Sequence, residues 1–260
     1  MGVELEDLGG GLGDPRLACT LAQFKERYGI EGLDDDAAIS ALLAGVSAQI
    51  AGACGRFSGG EPALHALERE QIFSVEPGLR HLYLPAWPIA AVSEAIEAPE
   101  GAFDDADPLV KDADFTVKAA SGCLYRVGAA WLWGEMAVRV RWTGGYTSPD
   151  VATAGDYDAC AASTPYVVGD RRQSGFGYWR CTTAHTSGEA LDAAKWIQEF
   201  LMPSDLVEAA LEQAGYAWQR RATQGMSGAS AGQGGSFSDS AGDDLLKGVE
   251  AVCQRYRRLM

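Results

Sequence analysis

Cys160, Cys181 and His185 are the residues that come nearest to a metal-ligand set in this chain. A structural zinc site takes four ligands, and a catalytic one takes three and a water. Cys181 and His185 supply one short spacing and no fourth ligand accompanies them, so no metal is expected. The acidic run Asp104, Asp105, Asp107, Asp112 and Asp114 offers carboxylates to calcium. It lacks the glycine and terminal glutamate of an EF-hand loop, and a solvated loop is expected instead. The histidines are His65, His81 and His185, and none sits beside a nucleophile motif. There is no G-x-S-x-G, H-E-x-x-H or Walker loop. Acidic residues are abundant, but their spacing along the chain does not fix their spacing in space. No catalytic residue, metal ligand or cofactor is assigned, and the chain reads as a non-enzymatic protein.

Composition narrows the classes further. The 260 residues suffice for one large domain or two small ones. No uninterrupted apolar run of about 18 residues is present, so a membrane span is not expected. The start, MGVELEDLGGGLGDP, lacks the basic end and apolar core of a signal peptide, so export by the usual route is not expected. A net charge of −15 disfavours phosphate binding by the surface as a whole, which needs clustered Lys and Arg. Such a surface still suits passive, repelling contact with DNA. The six cysteines are scattered without a C-x-x-C pair. Reduced thiols are expected, with a Cys160–Cys181 disulfide as the alternative.

The elements follow from periodicity. Residues 1–17 read as a flexible arm. Thr20 is placed to cap a helix TLAQFKERYG that stops at Gly29. From Asp34 to Phe57, Ile39, Leu42, Leu43, Val46, Ile50 and Ala53 recur at helical spacing, behind three aspartates suited to a helix start. This stripe needs other helices to cover it. The period then changes to strands at Gln71–Val75, Leu79–Leu84, Ile89–Ile96, Phe115–Val117, Cys123–Arg126 and Ala137–Trp142. In the last, Val138, Val140 and Trp142 alternate with Arg139 and Arg141, the pattern of a half-buried strand closed by a Gly144-Gly145 turn. Helix returns at Ser204, with Ser204 or Asp205 as the cap. A Gly/Ser-rich linker follows, then an amphipathic helix from Asp243 to Leu259. The expected fold class is α+β: a helical bundle with a small β-sheet element inserted between helices 2 and 3, plus a small β-rich inserted module.

In this order the segments resemble the phage head–tail connector family, the adaptor (head completion) proteins beneath the portal. TLAQFKERYGI and DDDAAISALLAGVSAQIAGACGRF resemble the family's opening helix pair, including the closing Gly55-Arg56-Phe57. LYLPAWPIAAVSEA resembles its middle strand, AVRVRWTGGY its strand and turn, and MPSDLVEAALEQAGYAWQRRA its third helix. The Gly/Ser segment and a last helix ending QRYRR complete the set. The departure is the stretch between about Ser148 and Gln198, where the family usually has a short step. There Tyr166, Gly169-Asp170, Tyr178-Trp179, Thr183 to Thr186 and Trp196 resemble small carbohydrate-binding modules of the chitin-binding type.

The resemblance implies a structural virion protein of the head–tail interface, present in the host cytoplasm before assembly. It implies a ring of copies of this chain, about twelve in the family, extending the DNA channel. Its partners would be the portal protein above and a tail, stopper or tail-terminator protein below, with passive contact to genomic DNA. The implied organisation is a 1–17 arm, a connector core at 18–147 and 199–222, an inserted module at 148–198, a linker at 223–242 and a docking helix at 243–260. In that helix Leu245, Leu246, Val249, Val252, Tyr256, Arg257 and Arg258 are the expected portal-docking residues, and covering the bundle is the alternative role. Arg139 and Arg141 are candidates for a ring interface or simply the wet face of a strand. Tyr178, Trp179 and Trp196 would stack a glycan or form a small aromatic core. A glycan-binding adhesion protein working through the insertion is the second functional expectation.

Overall fold

The computed structural model describes residues 17–58, 61–62, 64–149, 151–174, 177–188, 192, 194–221, 230–231, 235–236 and 245–257. Most of the expected arm and linker therefore lies outside the described residues, as do Asp243, Asp244 and Arg258. Leu17 is an exception to the arm: with Ala18 and Cys19 it is buried in the helical core.

The first helix, α1 (Leu21–Tyr28), has the expected ends. Thr20 accepts from the Gln23 N–H at 3.0 Å while the Gln23 side chain accepts from the Thr20 N–H at 2.8 Å, and Gly29 closes the helix in the left-handed region. Helix α2 runs Asp36–Ala53, shorter at both ends than expected. Asp35 occupies the cap position without a side-chain hydrogen bond, and Asp36 instead pairs with Lys25 of α1 at 2.6 Å. With 18 residues, α2 is long and apolar enough in composition to cross a membrane. Its Ile39, Leu43, Val46 and Ile50 lie inside the protein core.

Helix α3 (Ser204–Arg220) starts at the expected residue, but the expected cap is absent. Pro203 takes the cap position, and Asp205 is committed elsewhere. Its carboxylate accepts from the Tyr256 hydroxyl at 2.5 Å and pairs with Arg255 at 3.3 Å. Helix α4 (Lys247–Arg255) is thereby tied onto α3, and Gln213 of α3 accepts from the Leu246 N–H. Phe24 of α1, Ile39 and Leu43 of α2, Leu206 and Trp218 of α3 and Val249 and Cys253 of α4 share one core.

Between α2 and α3 lie β1 (Phe57–Ser58) and β2 (Glu61–Pro62), then two three-stranded antiparallel sheets. The first has β3 (Leu67–Val75), β8 (Gly134–Gly144) and β5 (Ile89–Glu97) in the order β3-β8-β5. The second has β4 (His81–Tyr83), β7 (Cys123–Arg126) and β6 (Phe115–Lys118) in the order β4-β7-β6. Alternation sorts the side chains. Val138, Val140 and Trp142 of the first sheet and Leu82, Leu124 and Phe115 of the second bury into one core, so the two sheets form a two-layer sandwich. Arg139 and Arg141 are on the outer side of the first sheet, as the strand pattern predicts.

The stretch from Ser148 onward is β-rich: β9 (Asp158–Ala159), β10 (Pro165–Tyr166), β11 (Arg171–Ser174), β12 (Gly177–Cys181), β13 (His185–Thr186) and β14 (Trp196–Glu199). They form a sheet β14-β12-β11-β9 and a β10-β13 pair. Entry and exit are adjacent: the Thr147 N–H donates to the Phe200 carbonyl at 2.7 Å, and the Met202 N–H to the Thr147 carbonyl at 3.1 Å. In the Gly/Ser-rich stretch, β15 (Ser230–Ala231) pairs with β16 (Gly235–Ser236).

Candidate assembly surfaces

The helical core and the sandwich are joined at a buried cation. Gly55, in the left-handed region, ends α2 and turns Arg56 inward. Arg56 is 1% exposed, and its guanidinium carbon stacks 3.3 Å from the Trp87 ring centre and 4.7 Å from that of Tyr146. It donates to the Trp87 carbonyl, and to the Tyr146 hydroxyl at 3.1 Å. Arg69 is also buried and donates to the Gly144 and Leu67 carbonyls. Burial, with the Arg56 charge nearby, pushes Arg69 down to about 10. Backbone carbonyls and aromatic faces, rather than carboxylates, therefore carry these two charges.

Tyr146 is held in this joint by the turn before it. A side chain at Gly145 would meet the His65 carbonyl at 2.2 Å, and one at Gly144 the Ala86 carbonyl at 2.4 Å. Gly145 also has φ +126. Both glycines are required by close backbone approach. The motif segments Gly55-Arg56, Trp87 and Gly144-Gly145-Tyr146, separated in sequence, meet here.

The C-terminal helix is seated, not free. Val249 and Cys253 are buried, and Leu245, Leu246, Val252 and Tyr256 pack against the same core. Cys54 and Cys253 are buried free thiols, and the neighbouring Cys253 thiol together with burial pushes Cys54 up. Arg257 is exposed beside Gly55. The apolar side of this segment, which the sequence leaves open to a partner, is thus occupied by the chain's own helices. The reason is the unmatched stripe on α2 and α3: covering it at home needs no second chain.

Arg139 and Arg141 carry ion pairs inside the chain. Arg139 lies 3.3 Å from Glu94 and over the Phe103 ring, and Arg141 lies 2.6 Å from Glu70. Glu70 holds the Arg141 guanidinium above its ordinary value. Arg141 is exposed, whereas Arg139 is half-buried beneath Phe103.

In the insertion, Trp196 is only 5% exposed and shares a small core with Tyr166 and Cys181. Its ring N–H donates to His185 Nε2 at 3.2 Å. It therefore presents no open ring face, which corrects its expected role as a stacking platform. Tyr178 and Trp179 are half-buried, Tyr178 against Tyr157 and Trp179 against the same small core. A minimal module has few apolar residues, and its aromatics are consumed in holding it together. Glu199 is the polar centre, accepting from Tyr157 at 2.6 Å, Arg171 at 3.1 Å and Arg180 at 3.0 Å. Cys160 and Cys181 are free thiols here, and Cys181 Sγ lies 3.8 Å from His185 Nδ1. Among the described residues no group of three or more His, Cys, Asp or Glu is placed to hold a metal.

No protein-family model matches this chain. No curated protein matches it. Among solved structures it is similar to a chain of the neck of an empty GTA particle computed with C6 symmetry, at 15% identity, covering 97% of this chain and 95% of that one with a TM-score of 0.49. It is similar to a chain of the neck of a native GTA particle computed with C12 symmetry, at 16% identity over 98% and 97% with a TM-score of 0.48. It is similar, too, to a chain of the virion of a native gene transfer agent particle, at 17% identity over 96% and 94% with a TM-score of 0.48.

Proposed function

We propose that this chain is a structural virion protein, a head–tail connector of the adaptor type. It assembles as a ring beneath the portal, extends the DNA channel and offers the tail, stopper or tail-terminator protein a docking surface. The observation that supports this most is the convergence at Arg56. The segments that resemble the connector family supply the cation, both aromatic faces and the glycine turn of one joint. Motifs that match only by chance have no reason to meet at a single buried contact.

The insertion leaves and re-enters the chain at neighbouring residues, which suits a decoration on the outer rim of the ring. The C-terminal segment is the proposed portal contact, acting through its outer side at Lys247, Gln254 and Arg257, because its apolar side stays in the core. The acidic surface, with net charge −15, suits passive passage of genomic DNA without sticking.

Native mass measurement of the purified protein, alone and mixed with its portal, tests this. A discrete ring in solution, or a monomer that becomes a stoichiometric ring on the portal, is expected. A monomer indifferent to the portal would overturn the proposal.

A further inference from the structure

The two outer faces of the sandwich differ in chemistry. On the second sheet, cross-strand partners Tyr83, Cys123 and Lys118 form one row on the side away from the sandwich core, with Cys123 itself buried between the other two, and His81, Tyr125 and Thr116 form the next. Tyr83 is 52% exposed. His81 lies 5.0 Å from Tyr125, ring centre to ring centre, and Lys118 Nζ lies 5.7 Å from the Tyr125 ring centre. Arg80 reaches round to the Tyr125 hydroxyl at 3.5 Å. These six face positions include no carboxylate, and neither Arg80 nor Lys118 has an ion-pair partner among the described residues. In a chain with 36 acidic and 21 basic residues this is an aromatic, cationic island.

The first sheet's outer face is the reverse. Glu68, Glu70 and Glu94 alternate outward on β3 and β5, and the segment that covers Ile96 with Phe103 adds exposed Glu100, Asp104 and Asp105. Six carboxylates stand against Arg139 and Arg141, a balance of 2 − 6 = −4. Glu70 and Glu94 are the two already paired, so Glu68, Glu100, Asp104 and Asp105 stay without an ion-pair partner among the described residues. Because the sheets share a buried core, these two faces point away from each other on opposite sides of one rigid sandwich.

We propose that the His81–Tyr83–Tyr125 face of one copy, with Arg80 and Lys118, docks against the Glu100–Asp104–Asp105 face of the next copy of this chain. Opposite faces of opposite charge make a heterologous, head-to-tail contact, the kind that closes into a ring when the rotation between copies divides a full turn. The aromatic rings supply apolar contact area and the charges fix orientation and reject the wrong face. This rests on the ring reading above. It moves the cationic side of the contact from Arg139 and Arg141, which are paired at home, to the other sheet.

Two charge reversals and their mixture test it. The variants are Arg80→Glu with Lys118→Glu, and Asp104→Lys with Asp105→Lys, each verified as folded by circular dichroism. Assembly on the portal is read by native mass at about 0.1 M salt, where exposed charges about a Debye length apart still interact. Each variant alone is expected to lose the ring, with association at least about tenfold weaker. An equimolar mixture is expected to restore a ring with alternating copies, since every junction then meets opposite charge. Rings from both variants that match the wild type would overturn this contact while leaving the ring reading intact. Folded variants whose mixture stays unassembled would overturn it equally. A wild-type chain that never forms a ring with the portal present would overturn the ring reading and this contact with it.

Discussion

The guanidinium carbon of Arg56 lies 3.3 Å from the Trp87 ring centre and 4.7 Å from that of Tyr146, and the side chain is buried. Burial lowers the Arg56 value from its ordinary one, so the protein holds this charge against a desolvation cost. Stacking and charge-assisted hydrogen bonds to a carbonyl and a phenol offset that cost. Lysine cannot reproduce it, because an ammonium has neither a plane to stack nor a fork to reach two acceptors. Arg56→Lys and Arg56→Ala should each lower stability by about 3 kcal/mol, read by urea unfolding. If Arg56→Lys unfolds at the wild-type midpoint, the stacked geometry contributes nothing.

The turn that delivers Tyr146 should be equally intolerant. Gly145→Ala would drive a methyl into the His65 carbonyl while imposing a side chain on a φ of +126, and Gly144→Ala meets the Ala86 carbonyl. Neither neighbour is a flexible side-chain end that can swing away. Each substitution should cost about 3 kcal/mol or more and reduce the yield of folded protein. Gly188, with nothing within 4 Å, is the control: Gly188→Ala should leave thermal unfolding unchanged.

The seat of α4 predicts a thiol-protection pattern. Cys54 and Cys253 are both buried, and the thiolate that a labelling reagent needs is disfavoured at Cys54. Neither should be modified in the native protein at neutral pH. Removing residues 245–260 takes Val249 and Cys253 out of the core, so the truncated chain should melt lower and expose Cys54 to reagent. On mixing with the portal, protection should persist if the outer side of α4 makes the contact. Rapid labelling of Cys54 in the complex would instead mean that the helix leaves its seat.

Much of this fold was legible from local signals. Thr20 and Gly29 bracket α1 because cap and stop chemistry act within a few residues, and the alternation of Val138, Arg139, Val140 and Arg141 assigned their faces. What was not legible depended on distant partners. Asp205 looks like a cap in sequence, but Tyr256 and Arg255 claim its carboxylate. The last helix looks free behind a Gly/Ser stretch, but the uncovered stripe of α2 and α3 draws it in. Arg56 gave no sign of burial, since a lone arginine after a helix usually faces water. The difference between the two sheet faces emerged only with the registers, because β4 and β6 are short and their pairing with β7 is not encoded locally.

The insertion should be dispensable for the integrity of the rest. Its core is Tyr166, Cys181 and Trp196, with Trp179 packed against them. That core is separate from the helical core and from the sandwich core. Trp196→Ala removes its largest ring and leaves His185 Nε2 without its donor. Loss of such a residue typically costs about 3–5 kcal/mol, more than so small a cluster can absorb. Limited proteolysis should then cut between residues 151 and 199, while Cys54 and Cys253 stay protected and the helical and sandwich regions keep their exchange-resistant amides. The adjacent entry and exit at Thr147 and Phe200 make this possible, because the backbone bonds that close the neck of the insertion belong to the core side. If Trp196→Ala instead exposes Cys54 or lowers the single melting transition of the whole chain by the same amount, the insertion and the core unfold as one cooperative unit. An outer-rim decoration would then be the wrong description of it.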